Sequence, residues 1–534
     1  MKTKSILVIT LALILAISLV TPAYAFFAPS NGQPATLVLG QPDFTSHAAQ
    51  TNQIRMQVPS GVAVDSKSGK VFVADTYNNR VLRFADVAAL SNGAPAEAVL
   101  GQPDFTSNAP QTSQSGMKLP IGLAVDSNGR LWVADSVNSR VLRFDNAASK
   151  ANGANADGVL GQPDFTSNTE QTTQDGMALP QGVAVDSSGH LWVAEIYNMR
   201  VLRFDNAASK ANGANADGVL GQPDFTSKAL QTSQSGMGGP SGKGGPSGLS
   251  VDGNGRLWVA DTFNHRVLRF DNAAAKTNGA NADGILGQPD FTSSASHTSR
   301  SGMNTPRSVT VDTSGRLYVS DHDNNRILVF SGAANLANGA NASNVLGQST
   351  FTTSGNSTSD ASLFFPEGIF YDRASNVLWV ADSYNNRALM YGVLDFQLLP
   401  IFGLINFYLP PGTINTGTIS IQTRDGSTRT FDILGNTKIL PVGRAGQIGI
   451  GSTVTLLARH DPYSNKWIAL VIVINSVGTG TDTATPTSTP TLASVPTDTP
   501  TDTPVGIPTS TPTVAPVPTD TPTDTPAGIP TSTP

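Results

Sequence analysis

The stretch GLAVDSNGRLWVADSVNSRVLRFD, residues 122–145, recurs with small changes six times along a chain of 534 residues. The last residue of its first apolar run falls at Asp65, Asp126, Asp186, Asp252, Asp312 and Asp372, in steps of 61, 60, 66, 60 and 60 residues. A fixed period of this kind marks a repeat protein. Within one copy, residues 122–126, 131–135 and 141–145 are short runs rich in Val, Leu, Trp and Phe, separated by turn residues. They read as three antiparallel strands. The sequence from Asp126 to Gly129 suits a tight hairpin, because Asp bonds its own backbone and Gly accepts positive φ.

A fourth run, VLGQPDF, follows the copies at Val99, Val159, Val219, Ile285 and, with its last residues altered, Val345. One more copy, residues 38–44, precedes the first unit, and none follows the sixth. That displacement predicts a ring in which the N-terminal strand completes the last sheet, since closure removes an open edge that would invite association. The pattern P-x-G-V-A-V-D, then G-x-L-W-V-A-D, then N-x-R-V-L-R-F, resembles the NHL repeat family over roughly residues 35–392. The resemblance implies an all-β fold, a six-bladed β-propeller. Copies five and six depart from it at Ser308, at Ser320 and at Ala388, Leu389, Met390 and Tyr391.

Charged residues make up 13% of the chain and the net charge is −6, so no basic face for nucleic acid is expected. The absence of cysteine excludes thiol catalysis, disulfides and cysteine metal sites. Residues 1–25 read as a secretory signal peptide: Lys2 and Lys4, an apolar run from Ile6 to Val20, then Ala23-Tyr24-Ala25. A membrane anchor made of the same run is the alternative, and in either case the ring faces outside. The mature chain is expected to have no membrane span. The alanine-rich segment from Asn146 to Gly153 reads as one or two helical turns capped by Asn and Gly. The polar loops after VLGQPDF are long enough to be functional or loosely ordered. In the fourth unit this loop carries a six-residue duplication, GGPSGK followed by GGPSGL, which accounts for the 66-residue step.

Residues 393–412 read as a linker or docking segment. Residues 413–477 resemble the small β-barrel domains appended to bacterial secreted proteins. Residues 478–534, rich in Thr, Pro, Ser and Asp, read as an extended, disordered stalk.

In an antiparallel meander, the loop between the second and third strands shares a face with the long loop after the fourth. That face carries the acids Asp75, Asp135, Glu195, Asp261, Asp321 and Asp382, an Asn three residues on, and the arginines Arg80, Arg140, Arg200, Arg266, Arg326 and Arg387. They form either a polar ring for a ligand or metal, or a structural lock of partly exposed pairs contributing about 0 to 1 kcal/mol each. In the same loop Tyr77, Tyr197, Phe263 and Tyr384 are candidate ligand-binding aromatics, with Val137 and Asp323 at the equivalent positions. They are equally suited to packing on a neighbouring blade. His265, His297 and His322 fall on that face in adjacent units and are the one alternative metal set. No G-x-S-x-G, H-E-x-x-H or phosphate loop is present. Residues 140–167 are identical to residues 200–227, whereas catalysis needs distinct groups in distinct places. No catalytic residue and no cofactor is therefore assigned. The expectation is a monomeric, secreted or cell-surface binding or scaffold protein with a protein or polysaccharide ligand. A metal-dependent propeller enzyme of the lactonase or lyase type, or a structural wall component, are the rivals.

Overall fold

Each repeat becomes one four-stranded antiparallel sheet, and the reason lies in how its side chains alternate. The computed structural model describes residues 29–239 and 244–392, together with the backbone of five strands between residues 401 and 476. Blade 2 is representative: Pro120–Val125, Leu131–Asp135, Arg140–Phe144 and Gly158–Leu160 pair in chain order from the axis outward. Successive strand residues point to opposite sheet faces. Val141 accordingly packs among residues of blade 3, while Leu142 and Phe144 pack among residues of blade 1. Both faces are covered, so the strands read as near-continuous apolar runs. The core is a set of six seams between neighbouring blades.

Blade 6 shows how the ring closes. It consists of Pro366–Asp372, Val377–Asp382 and Arg387–Gly392, with Leu37–Leu39 from the N-terminal end as its outer strand. Val38 pairs with Leu389 and packs in the seam to blade 5, whereas Leu37 and Leu39 pack in the seam to blade 1. The strand is shorter than the VLGQPDF run, because its second half turns away. Gln41 and Phe44 nevertheless make the contacts their counterparts make elsewhere. Gln41 donates to the Asn386 carbonyl as Gln162 does to that of Ser139, and Arg387 donates to the Phe44 carbonyl as Arg140 does to that of Phe165.

The alanine-rich segments are shorter than expected. Each contains a single 3-10 turn, such as Ala147–Ser149, entered through Asn146 at φ 50°. The Asn-Gly pair beyond it covers the outer edge of the preceding blade rather than capping a helix. Asn152 Oδ1 accepts from the Val99 N–H at 3.1 Å and the Gly153 N–H donates to the Val99 carbonyl at 3.0 Å. Asn92 does the same for Val38, and Asn31 with Gly32 for Val345. An edge strand left with free backbone groups templates association, and these pairs occupy part of each edge.

Near the axis the inner strands approach closely. A Cβ on Gly122 would lie 2.4 Å from the Gln181 carbonyl oxygen, and one on Gly182 would lie 2.3 Å from that of Ser247. Blade 5 has Ser308 at this position, and Ser320 replaces the usual alanine beside it. Ser320 donates to the Glu367 carbonyl at 2.7 Å, so the 5–6 junction is built differently from the others.

Farther along the chain, Ile401–Ile405, Gly417–Thr423, Thr428–Leu440, Thr453–Asp461 and Lys466–Ser476 pair in the order first, second, third, fifth, fourth, and close on themselves. The third and fifth are parallel. The first of them falls within residues 393–412, the segment read as a linker. The signal peptide, the stalk and residues 240–243 of the duplicated loop lie outside the described residues. Among the described residues no helix is long and apolar enough to cross a membrane.

Candidate functional site

The second strand of every blade ends on an acid and the third begins on an arginine, joined by a tight turn, of 3-10 form in all blades but the third, and a residue with left-handed backbone. In blade 2 the turn is Ser136–Asn138, followed by Ser139 at φ 50°. Arg140 Nε donates to Asp135 Oδ2 at 2.7 Å, and Asn138 Nδ2 donates to the same oxygen at 2.9 Å. The other carboxylate oxygen accepts from the Lys118 N–H at 2.6 Å. Arg140 also donates to the carbonyls of Ser113, Gly116 and Phe165. One guanidinium thus ties the loop entering the blade to the segment leaving it. The same arrangement joins Asp75 to Arg80, Glu195 to Arg200, Asp261 to Arg266, Asp321 to Arg326 and Asp382 to Arg387.

These pairs were expected to be partly exposed. Instead, acid and arginine are 0% exposed in all six. Burial pushes the carboxyls of Asp75, Asp135, Glu195, Asp321 and Asp382 up, against the pull of their arginines. A buried pair differs from a surface pair in that loss of one partner strands a charge. The geometry leaves the acids no face toward a ligand.

The aromatics of the same loop separate into two kinds. Tyr77, Tyr197 and Tyr384 are 51%, 52% and 49% exposed. Phe263 is half-buried, with the Arg307 guanidinium 5.7 Å from its ring centre. Val137 is half-buried and Asp323 exposed.

The three histidines are not brought together. His265 Nδ1 accepts from the Thr305 N–H at 2.9 Å, the place taken by Asn79 against Leu119 and by Asn325 against Phe365. His297 is exposed, and its backbone carbonyl accepts from Asn324 Nδ2. His322 is buried, with Nδ1 2.6 Å from Asp323 Oδ1 and Nε2 3.5 Å from Glu367 Oε1. Among the described residues, no group of three or more His, Asp or Glu side chains is placed to hold a metal ion.

The surroundings of His322 hold the residues that sequence reasoning missed. The inner strands enclose a cavity of about 290 Å³ whose lining includes Ser60, Ile121, Gln181, Ser247, Arg307 and Glu367. These residues lie at the start of the inner strands, the end that also bears the loop tyrosines, because Pro120 pairs with Asp135. In most blades a Thr or Ser of the 3-10 turn bonds the inner strand of the next blade, as Thr76 does to the Pro120 carbonyl at 2.7 Å. In blade 5 that position is His322, and it reaches Glu367 instead. Its ring stacks on Phe365, with centres 4.6 Å apart and planes 4° from parallel. Phe365 meets Tyr384 edge-on at 4.9 Å. Phe365 itself sits at φ 51°, a strained conformation for a bulky residue, held by the bond from its N–H to Asn325.

The charges here are coupled. Burial works against protonation of His322, but hydrogen bonds to Asp323 and Glu367 outweigh it and raise its pKa. Burial would raise Glu367, yet the bond from His322 and the nearby charge of Arg307 hold it below the ordinary range. Arg307 has a different character from the six locked arginines: its Nε is buried without a hydrogen-bond partner. The signal that could have found this cluster was the pair of charged residues, Arg307 and Glu367, at the variable position of P-x-G, together with the departures from the repeat at His322 and Asp323.

Comparisons with known proteins follow this geometry. Residues 56–84, 118–144, 177–204, 244–270 and 303–330 match the NHL repeat; the sixth blade is not among the matched segments. No curated protein matches the chain at a significant level. Similar solved structures include a protein of unknown function from Bacteroides thetaiotaomicron, 15% identical, covering 67% of this chain and 75% of that one, with a TM-score of 0.42. They also include a virginiamycin B lyase from Staphylococcus aureus, 15% identical, covering 63% and 96%, with a TM-score of 0.36. A gluconolactonase from Xanthomonas campestris is 16% identical, covering 67% and 98%, with a TM-score of 0.36. The blades formed by residues 37–392 make a six-bladed β-propeller, and five of its six repeats match the NHL repeat.

Proposed function

We propose that this protein is an exported, non-catalytic binding or scaffold module that recognises a protein or a polysaccharide through the tyrosine-bearing face of its propeller. The observation that supports this most is the contrast within one loop. Acid, Asn and Arg are consumed by the lock, while Tyr77, Tyr197 and Tyr384 stand about half exposed at equivalent positions. Exposed tyrosines offer large contact area at low entropic cost. In this reading residues 1–25 direct export, the five strands between residues 401 and 476 form a small barrel, and residues 478–534 hold the propeller away from a surface. The mature protein works as a monomer, outside the cell or on its surface.

The test is a glycan and peptide array probed with the purified protein and with the triple variant Tyr77→Ala, Tyr197→Ala, Tyr384→Ala. Retention on one polymer class that weakens in the variant, with stability changed by less than about 1 to 2 kcal/mol, supports the reading. Unchanged retention moves the site elsewhere. Absence of any ligand would leave the wall-component reading, and a metal-dependent turnover lost on replacing His322 would establish the enzyme.

A further inference from the structure

The six loop arginines of this propeller are locked by buried acids, whereas Arg307, on the inner strand of blade 5, has no acid within ion-pair distance among the described residues. It lines the axial cavity, its guanidinium carbon lies 5.7 Å from the Phe263 ring centre, and its Nε is buried without a hydrogen-bond partner; Arg83, Arg143 and Arg269 share that last feature but do not line the cavity. A buried donor left unsatisfied is costly, and a planar guanidinium presents its N–H groups as a fork that fits a carboxylate. Asp323 and Glu367 feel the charge of Arg307 but are hydrogen-bonded to His322, and neither lies within ion-pair distance of the Arg307 guanidinium. Glu367 also lines the cavity, where it can only accept. An occupant that satisfies both must therefore bring an anion to Arg307 and a hydroxyl or N–H donor to Glu367.

The rest of the lining narrows the class. At the entrance Ser60, Gln181 and Ser247 are hydroxyl and amide groups and Ile121 is the one large apolar side chain, while the deeper lining includes Val62, Leu123, Val183, Val309 and Ile369. Peptide recognition rests on apolar or aromatic anchors buried in pockets, whereas the ring of residues at this entrance is polar or charged at every position but Ile121. The axial channel as a whole encloses about 290 Å³, at the small end of ligand pockets. It suits a single polar ring, entered from the face on which Tyr384 and Phe365 supply aromatic surface.

Resting on the binding reading above, we infer that the axial entrance takes a uronic-acid unit of an acidic polysaccharide, its carboxylate on Arg307 and a ring hydroxyl donating to Glu367. The loop tyrosines then hold the flanking sugars, and the axial site selects the acidic unit.

The experiment is calorimetric titration of the full mature chain with a uronic-acid oligosaccharide and with a neutral oligosaccharide of equal length. The wild type and the variants Arg307→Gln, Arg307→Lys and Glu367→Gln are compared, with melting curves to verify folding. A charge-assisted bidentate contact predicts at least about tenfold tighter binding of the acidic oligomer. Arg307→Gln should abolish that preference, Arg307→Lys should recover part of it, and Glu367→Gln should weaken the acidic oligomer. Equal affinity for both oligomers in the wild type, or a preference unchanged in Arg307→Gln, overturns the inference. Neutral-polymer binding that needs the tyrosines but ignores Arg307 overturns the axial site while leaving the binding module standing. Arg307-dependent binding of a peptide carboxylate, with no uronate binding, overturns the saccharide assignment.

Discussion

Blades 2 and 3 and the junction of blades 5 and 6 are built on one plan, yet they differ in what has been allowed to vary. Residues 140–167 and 200–227 are identical, and the pairs of Asp135 with Arg140 and Glu195 with Arg200 are buried in the same way. At the junction, the usual Thr or Ser is His322, the aromatic position is Asp323, and the inner strands carry Arg307 and Glu367 at the cavity. Repetition at a position marks a group that holds the ring together, since every blade has the same task. Departure marks a group that answers to something outside the repeat.

The largest effect should come from breaking what every blade shares at the point of closure. Deleting residues 26–45 removes Leu37–Leu39, the Gln41 and Phe44 contacts and the Asn31 cover of blade 5. It exposes Arg387–Gly392 as an edge and should produce aggregation or a large fall in melting temperature. A truncated chain that melts as before would show that the ring does not depend on this strand.

Breaking one lock should cost less but remain severe. Arg140→Ala leaves Asp135 buried without its cation and frees three carbonyls, so a loss of about 3 to 5 kcal/mol is expected in denaturant titration. The contrasting variant Tyr197→Ala, in the same loop of the next blade, should stay within about 0.5 kcal/mol. Similar losses for both would erase the distinction between lock and exposed surface.

A smaller effect sharpens the other side of the comparison. His322 is hydrogen-bonded to Asp323 and Glu367, with Arg307 nearby and Phe365 against its ring. Its folded-state pKa is raised above 6.5. Its contribution to stability is therefore fully present below 6.5 and is lost as pH rises through the folded-state value. The difference in melting temperature between wild type and His322→Gln should shrink across that window. A difference that grows with rising pH would mean that His322 is neutral in the fold.

Much of this architecture was legible because a period repeats its evidence. The displaced VLGQPDF run announced closure before any pairing was seen, and the β alternation located the strands within a few residues. Less was legible where one residue type serves two purposes. The Asp135–Arg140 pair looked like a surface ion pair because spacing shows adjacency and not burial. The Asn-Gly pairs looked like helix caps because their partner strand lies in the preceding blade, some 50 residues earlier in the case of Asn152 and Val99. The three histidines were grouped by face, but the fold spends His265 on the Thr305 N–H and leaves His297 outside. Glu367 and Arg307 escaped notice because each stands alone in its repeat, and only the ring brings them to one cavity.

The account holds that binding belongs to the exposed and divergent residues of one face and not to the repeated locks. Hydrogen exchange of the full chain, measured with and without the polymer it retains most strongly, tests this most directly. The predicted footprint is added protection in the loops carrying Tyr77, Tyr197 and Tyr384 and at the cavity entrance around Arg307, Phe365 and Glu367. The amides of Asp126 to Arg130 and their counterparts on the opposite face should be unchanged. Protection confined to that opposite face, or to the outer strands, would contradict it.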